Sequence, residues 1–267
     1  MRKEKKTQGL SFANRLFLPE LSAAVRWGLA AWIGQMVLTP VALWTWGLDG
    51  FQAMTYPGAI TQVVVCLVII SRNWSGRQIL RLAAIILPLA WLVEFTGHTT
   101  GLPFGLYQYT SILQPQLGGV PLLIPFAWLM MLPPAWGVTA RLVDPAQRWR
   151  FAAVSGLAFT AWDLFLDPQM VANGLWVWKQ PGAYFGIPLL NFAGWWLASS
   201  LITAAVYPRA FPARPLAVIY TLTCVLEAIG LGLFWHQPGP ALAGLLAMGL
   251  FATLFWIEQR SGQRNAS

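Results

Sequence analysis

Charge is the first thing this chain is short of. Its 267 residues hold 17 Lys and Arg and nine Asp and Glu, so 10% are charged, against about 25% in a soluble domain. A water-soluble globule of this size could not cover its surface with so few ions, and that class is excluded. Only two Cys are present, which excludes a disulfide scaffold. Hydrophobic residues make up 57%, which excludes disorder. The apolar runs argue against a transmembrane β-barrel, because they are continuous and about twenty residues long rather than alternating. The net charge of +8 does not point to nucleic acid: the basic residues are spread over short loops and form no patch or known motif. What remains is an all-α polytopic membrane protein, a single integral membrane domain spanning 1–267.

Eight apolar stretches reach spanning length, at 24–46, 52–71, 80–98, 120–140, 151–171, 186–207, 215–235 and 239–257. Breakers separate them, among them Gly47-Leu48-Asp49-Gly50, Pro103, Pro115, Pro181, Pro208 and Pro238. Arg2, Lys3, Lys5, Lys6, Arg15 and Arg26 precede the first stretch. Arg72, Arg77 and Arg81, then Arg141, Arg148 and Arg150, then Arg209 and Arg214, then Arg260 and Arg264 mark alternate turns. That partition places 16 of the 17 basic residues on one side and only Lys179 on the other. The positive-inside rule then predicts both termini in the cytoplasm. The expected location is the bacterial cytoplasmic (inner) membrane. Residues 1–22 read as a basic cytoplasmic or interfacial segment. No short apolar stretch with a cleavage site follows it, so it is not read as a cleaved signal.

The chain repeats itself at an offset of 69. Arg81-Leu-Ala-Ala-Ile matches Arg150-Phe-Ala-Ala-Val, Glu94 matches Asp163, His98 matches Asp167, and Gly105-Leu-Tyr-Gln-Tyr109 matches Gly174-Leu-Trp-Val-Trp178. At offset 67, Gly119-Val-Pro-Leu-Leu123 matches Gly186-Ile-Pro-Leu-Leu190, and Trp128 matches Trp195. Helices three and four thus recur as helices five and six, over 81–142 and 150–209, in the same orientation. A fainter third copy starts at Arg214, because Glu227 again follows thirteen residues later. Thirteen residues of helix rise about 20 Å. If each Arg marks the inner interface, Glu94, Asp163 and Glu227 lie at one depth in the outer third of the membrane.

An ionisable group inside a membrane costs at least about 2.5 kcal/mol at mid-span, and it usually faces a cavity or a partner. Glu94, Asp163, Asp167 and Glu227 are therefore the candidate catalytic residues. The structural alternative is that they only fix helix packing, and for Asp167, followed by Pro168, that it merely ends a helical turn. His98 is read as a group that orients Glu94 rather than a metal ligand, since no second nitrogen or sulfur ligand has a matching spacing. No metal and no cofactor is expected. Cys66 and Cys224 read as packing residues. The outward loops carry Phe104, Tyr107, Tyr109, Trp176 and Trp178. They form either an aromatic belt at the membrane surface or a lid over the acids that offers π-faces to a cationic intermediate.

Three segments together resemble a known family: Glu94-Phe-Thr-Gly-His-Thr-Thr-Gly-Leu-Pro-Phe-Gly-Leu-Tyr-Gln-Tyr109, Trp162-Asp-Leu-Phe-Leu-Asp-Pro168 and Tyr184-Phe-Gly-Ile-Pro-Leu-Leu-Asn-Phe-Ala-Gly-Trp195. They are similar to the membrane carotenoid-biosynthesis proteins, which include carotenoid 1',2'-hydratases and the haloarchaeal bisanhydrobacterioruberin hydratase. The resemblance covers roughly 80–235. It implies addition of water to the terminal C1'=C2' double bond of an acyclic (ψ) carotenoid end, as in lycopene or γ-carotene. It carries over no catalytic residue. Its implied partners are the bilayer, an acyclic carotenoid and water, with other enzymes of the same pathway as candidates.

The residues fit that chemistry on their own terms. Hydrating an alkene needs a strong proton donor and no cofactor, and a buried carboxylic acid can supply the proton. The tertiary cation then needs negative charge, aromatic faces and a poised water. Three rivals stand beside the hydratase: a proton-coupled carrier of a lipidic solute, an end-group cyclase that excludes water, and a non-catalytic pigment-binding subunit.

Overall fold

The computed structural model describes residues 21–264; the basic N-terminal stretch lies outside the described residues. The chain is a helical bundle. Helix α1, Ala23–Ile70, starts at Ser22, whose hydroxyl accepts from the Val25 N–H at 3.4 Å. Forty-eight helical residues would reach about 72 Å, more than twice a bilayer core of about 30 Å. Gly47 interrupts the run: its φ of 63° and ψ of −147° are non-helical and favour a residue without a Cβ. This break falls in the predicted turn between 24–46 and 52–71.

Helix α2, Gly76–Thr100, is opened by a capping box of Ser75 and Gln78. Helix α3 follows at Leu123–Thr139, α4 at Arg148–Ala172, α5 at Leu189–Val206 and α6 at Ala213–Ile229. A π-helical turn, Gly230–Phe234, extends α6, and α7 runs from Pro238 to Arg264. Among the described residues, five helical runs are long and apolar enough to cross a membrane: α1, α2, α5, α6 with its π turn, and α7 up to Glu258. Three of the eight expected spans do not stand as separate long apolar runs, for physical reasons. Two of them form α1, which continues through its break. α3 is apolar but has only 17 residues. α4 is long enough, but Arg148, Arg150, Asp163 and Asp167 dilute its apolar character.

Prolines inside these helices leave carbonyls without their intrahelical N–H partner, and in an apolar medium each must find another. Pro134 frees the carbonyl of Met130, which accepts from Gln62 Nε2 at 3.3 Å and Cys66 Sγ at 3.5 Å. Pro168 frees the carbonyl of Leu164, which accepts from Tyr184 Oη at 2.9 Å. Asp167-Pro168 therefore does not end a helix: α4 runs on to Ala172.

Small residues bring the helices close, as packing between helices in lipid requires. The largest helix pairing is α4 with α5. At its centre, a Cβ on Gly156 would collide with Ser200 Oγ and come within 2.9 Å of the Trp196 carbonyl.

Between α2 and α3 the loop forms three short strands, β1 (Tyr107–Tyr109), β2 (Gln116–Leu117) and β3 (Val120–Pro121). Between α4 and α5 lies β4, Trp176–Trp178. β2 pairs with β3, and β1 pairs antiparallel with β4 in the register Tyr107–Trp178, Gln108–Val177, Tyr109–Trp176. Side chains alternate along such a ribbon. Tyr107, Trp176 and Trp178 are buried and Tyr109 is half-buried, while Gln108 and Val177 are exposed.

Candidate active site

The buried face of the β1–β4 ribbon lies over the acids of α2 and α4. Tyr107 Oη donates to Glu94 Oε2 at 2.5 Å, and Tyr109 Oη donates to the same oxygen at 2.7 Å. Trp128 Nε1 of α3 donates to Glu94 Oε1 at 3.1 Å. Glu94 thus receives three donors inside the bundle, each of which favours its anionic form against the cost of burial. Burial, followed by the Glu94 charge, pushes both tyrosine hydroxyls well above the ordinary phenol range, so they remain donors.

The second half of the site is an aspartate pair on α4. Asp163 and Asp167 are one helical turn apart and share a face. Asn191, in the first turn of α5, donates its amide to both, at 2.7 Å to Asp163 Oδ2 and 2.5 Å to Asp167 Oδ2. Trp176 Nε1 donates to Asp167 Oδ1 at 3.0 Å. Asp163 Oδ1 is buried without a hydrogen-bond partner. Two carboxyl groups converging on one neutral amide cannot both be anions at low cost, and a single proton shared between them relieves the repulsion.

Aromatic rings close the site. Tyr107 packs on Trp178 with centroids 4.9 Å apart, and Tyr109 lies edge-on to Trp176 at 5.7 Å. On the opposite wall Trp128 stacks on Trp195 at 5.0 Å, with Phe159 against both. Glu94, Asp167 and Asn191 line a small cavity among these rings. About 20 Å³ of it is open to the centre of a water molecule, room for one water.

The structure brings Glu94, Asp163 and Asp167 together with Tyr107, Tyr109, Trp176 and Trp178. The ribbon covers the acids, as a lid would, and is not spread along a surface belt. The remaining candidates stand elsewhere. His98 Nε2 lies 2.9 Å from the Gly118 carbonyl and its ring meets Phe95 edge-on. It makes no hydrogen bond to Glu94, so it anchors the loop before β3 rather than orienting the acid. Phe104 is buried behind Tyr107, which it meets edge-on, and also packs on Trp195; it lines neither this cavity nor the larger one described below. Glu227 is on the wall of that larger cavity. Among the described residues no cluster of three His, Cys, Asp or Glu is placed to hold a metal ion.

Sequence reasoning missed Asn191 and the roles of Trp128 and Trp195. The signal was present for the tryptophans, which match each other in the repeat. Asn191 was harder to find, because the repeat matches it to Ile124, an apolar residue. Both nevertheless line the same cavity.

The chain can now be set beside known proteins. The family described as "Carotenoid biosynthesis protein" matches residues 54–251, a span that holds all of these site residues. Bisanhydrobacterioruberin hydratase of Haloarcula japonica is 32% identical over 185 residues, which is 64% of this chain and 63% of that protein. The match thus spans less than two thirds of that relative's length. No solved structure matches. With a family match over most of its length and a carotenoid hydratase among its relatives, the chain belongs to the carotenoid biosynthesis protein family.

Proposed function

We propose that this protein adds water to the C1'=C2' double bond of an acyclic carotenoid end, such as that of lycopene or γ-carotene. The observation that carries the reading is the pairing of two unlike acid sites across one small cavity. Glu94 accepts three hydrogen bonds, whereas Asp163 and Asp167 share one amide. A proton donor and a stabilising anion are the two things alkene hydration needs.

In this mechanism Asp167, the member of the pair that lines the cavity, protonates C2'. Asp163 shares with Asp167 the single proton that is transferred, so the pair is left unprotonated until the attacking water's proton comes back. The positive charge that develops at C1' is met by the Glu94 carboxylate and by the faces of Tyr107, Tyr109, Trp176 and Trp178. The water in the cavity attacks C1' and passes its proton to Glu94, which returns it to the aspartate pair. The chain needs no cofactor for these steps.

The same reading assigns the chain a single membrane domain of eight spans in the bacterial inner membrane, both termini cytoplasmic. The segments 81–142 and 150–209 are then parallel repeats about an axis along the membrane normal, as in some carriers. The facing pair Gln108 and Val177 supports this. They are equivalent by the 69-residue offset and sit opposite each other at the centre of the ribbon, as a two-fold axis through that point demands.

The test is expression in cells that accumulate lycopene or γ-carotene. The expected product is heavier by one water, and it should vanish in Asp167→Asn and Glu94→Gln while Asp163→Asn loses most of it. Full activity in all three would sink the site assignment. An isomeric ring product would make the protein a cyclase, and an unchanged pigment would favour a carrier or a binding subunit.

A further inference from the structure

Beside the acid pocket lies a second, larger cavity. Its volume is about 140 Å³. It is walled by both halves of α1, by α3 and α4, and by the end of α6 with its π turn. Four residues line both cavities and form the partition between them: Ile124, Ala127, Leu166 and Trp176. The lining is mainly hydrocarbon and aromatic, with Trp32, Met36, Phe51 and Met54 contributed by α1.

Four polar groups on this wall are unspent. Trp162 is 1% exposed, and its buried Nε1–H has no hydrogen-bond partner. Trp235 Nε1 and Gln35 Oε1 are likewise buried and unpartnered. The Glu227 carboxylate makes no hydrogen bond among the described residues, and all four residues line the cavity. Buried polar atoms are ordinarily paired. A plain hydrocarbon would leave these unpaired, and water alone would leave the apolar wall without contacts. A branched apolar chain that ends in a hydroxyl satisfies both. Its oxygen can accept from an indole N–H and donate to Glu227 or Gln35. π-Helical turns, such as the one that follows Glu227, are frequent at functional sites.

We propose that the large cavity is a subsite for the hydroxylated end of an isoprenoid chain, holding the tertiary alcohol after it leaves the acid pocket through the partition. The identity of the alcohol rests on the hydratase reading; the preference for a hydroxyl does not. Glu227 is then a product-binding group and not one of the acids that touch the reacting carbons.

The experiment is calorimetric titration of the purified full-length protein in detergent with two probes. One is tetrahydromyrcenol, a branched ten-carbon tertiary alcohol, and the other is the saturated hydrocarbon of the same skeleton, which cannot react. The alcohol should bind at least tenfold more tightly. Glu227→Leu and Trp235→Phe should each reduce alcohol affinity about tenfold and leave the hydrocarbon unchanged, and Glu227→Gln should retain part of the preference. Equal affinities in the wild type, binding of neither probe, or a preference untouched by both substitutions would each overturn the proposal. Should a variant fail to fold, the wild-type comparison alone decides. A protein that prefers the alcohol yet yields no water-added pigment in cells would sink the hydratase reading and leave this subsite standing.

Discussion

Gln108 lies directly opposite Val177 in the β1–β4 ribbon. The neighbouring bonds, Lys179 N–H to the Leu106 carbonyl at 2.9 Å and Thr110 N–H to the Leu175 carbonyl at 3.0 Å, make the two a hydrogen-bonded pair, with Cα atoms expected at about 5.5 Å. That is within disulfide range. Both side chains face outward. The double variant Gln108→Cys with Val177→Cys should therefore cross-link on mild oxidation, read as a reducible shift in peptide mapping. The cross-link joins strands that are already paired, on their exposed face, so the cross-linked protein should keep its hydration rate. Loss of rate on oxidation, restored by reductant, would mean that the ribbon has to open.

Tyr107 and Tyr109 donate to the same oxygen of Glu94. Tyr107→Phe and Tyr109→Phe should each slow hydration by about ten- to a hundredfold, as lost hydrogen bonds of about 1.5–3 kcal/mol to a charged group predict. Because they share one acceptor, their effects should not add. A double-mutant cycle on product formation checks this, and strict additivity would argue against a common role.

Asn191 bridges Asp163 and Asp167 with its side-chain amide. Asn191→Leu leaves both carboxyl groups without their shared donor and should destabilise the protein by about 1–3 kcal/mol. It should also remove most activity. Asn191→Asp adds a third acid to the cluster and should be worse on both counts. Thermal unfolding in detergent and pigment conversion provide the two readings.

Gly156 allows α4 and α5 to touch. Gly156→Leu must push against Ser200 and the Trp196 backbone. The expected cost is about 1–3 kcal/mol or more of stability, with loss of activity, because α4 carries the aspartates and α5 carries Asn191. Gly156→Ser should be milder. An unchanged melting temperature for the leucine variant would contradict the close approach.

Orientation is testable by labelling. Cys66 and Cys224 are buried, so a cysteine introduced at Lys179 should react with a membrane-impermeant maleimide on intact cells. One introduced at Asp144 should react only after permeabilisation. The reverse pattern would invert the assigned topology.

The amino-acid sequence by itself determined the membrane class, the placement of acids on helices and their spacing, because these follow from local quantities. Apolar run length, the 3.6-residue helical period and the scarcity of charge need no knowledge of distant contacts. Glu94, Asp163 and Asp167 could be picked out because a charge in lipid is expensive wherever the helix sits. The repeat likewise exposed Tyr107, Tyr109, Trp176 and Trp178 as one set. Helix limits were less legible: that the chain is helical on both sides of the Gly47 break, and that α3 has only 17 residues, depends on how the bundle packs.

Only the tertiary structure decided who meets whom. His98 was one turn from Glu94 on the same helix, yet its ring is taken by the Gly118 carbonyl, a partner twenty residues away. Glu227 shares the predicted depth of Glu94 and Asp163, but depth is one coordinate, and the in-plane packing of α6 puts it on a different cavity. Asn191 holds the aspartate pair only because α5 crosses α4 at Gly156. Its signal as an uncharged amide in an apolar run was too weak to read in advance. Local periodicity sets the height and face of each group; the contacts between helices, fixed by shape and by unpaired polar atoms, set the chemistry.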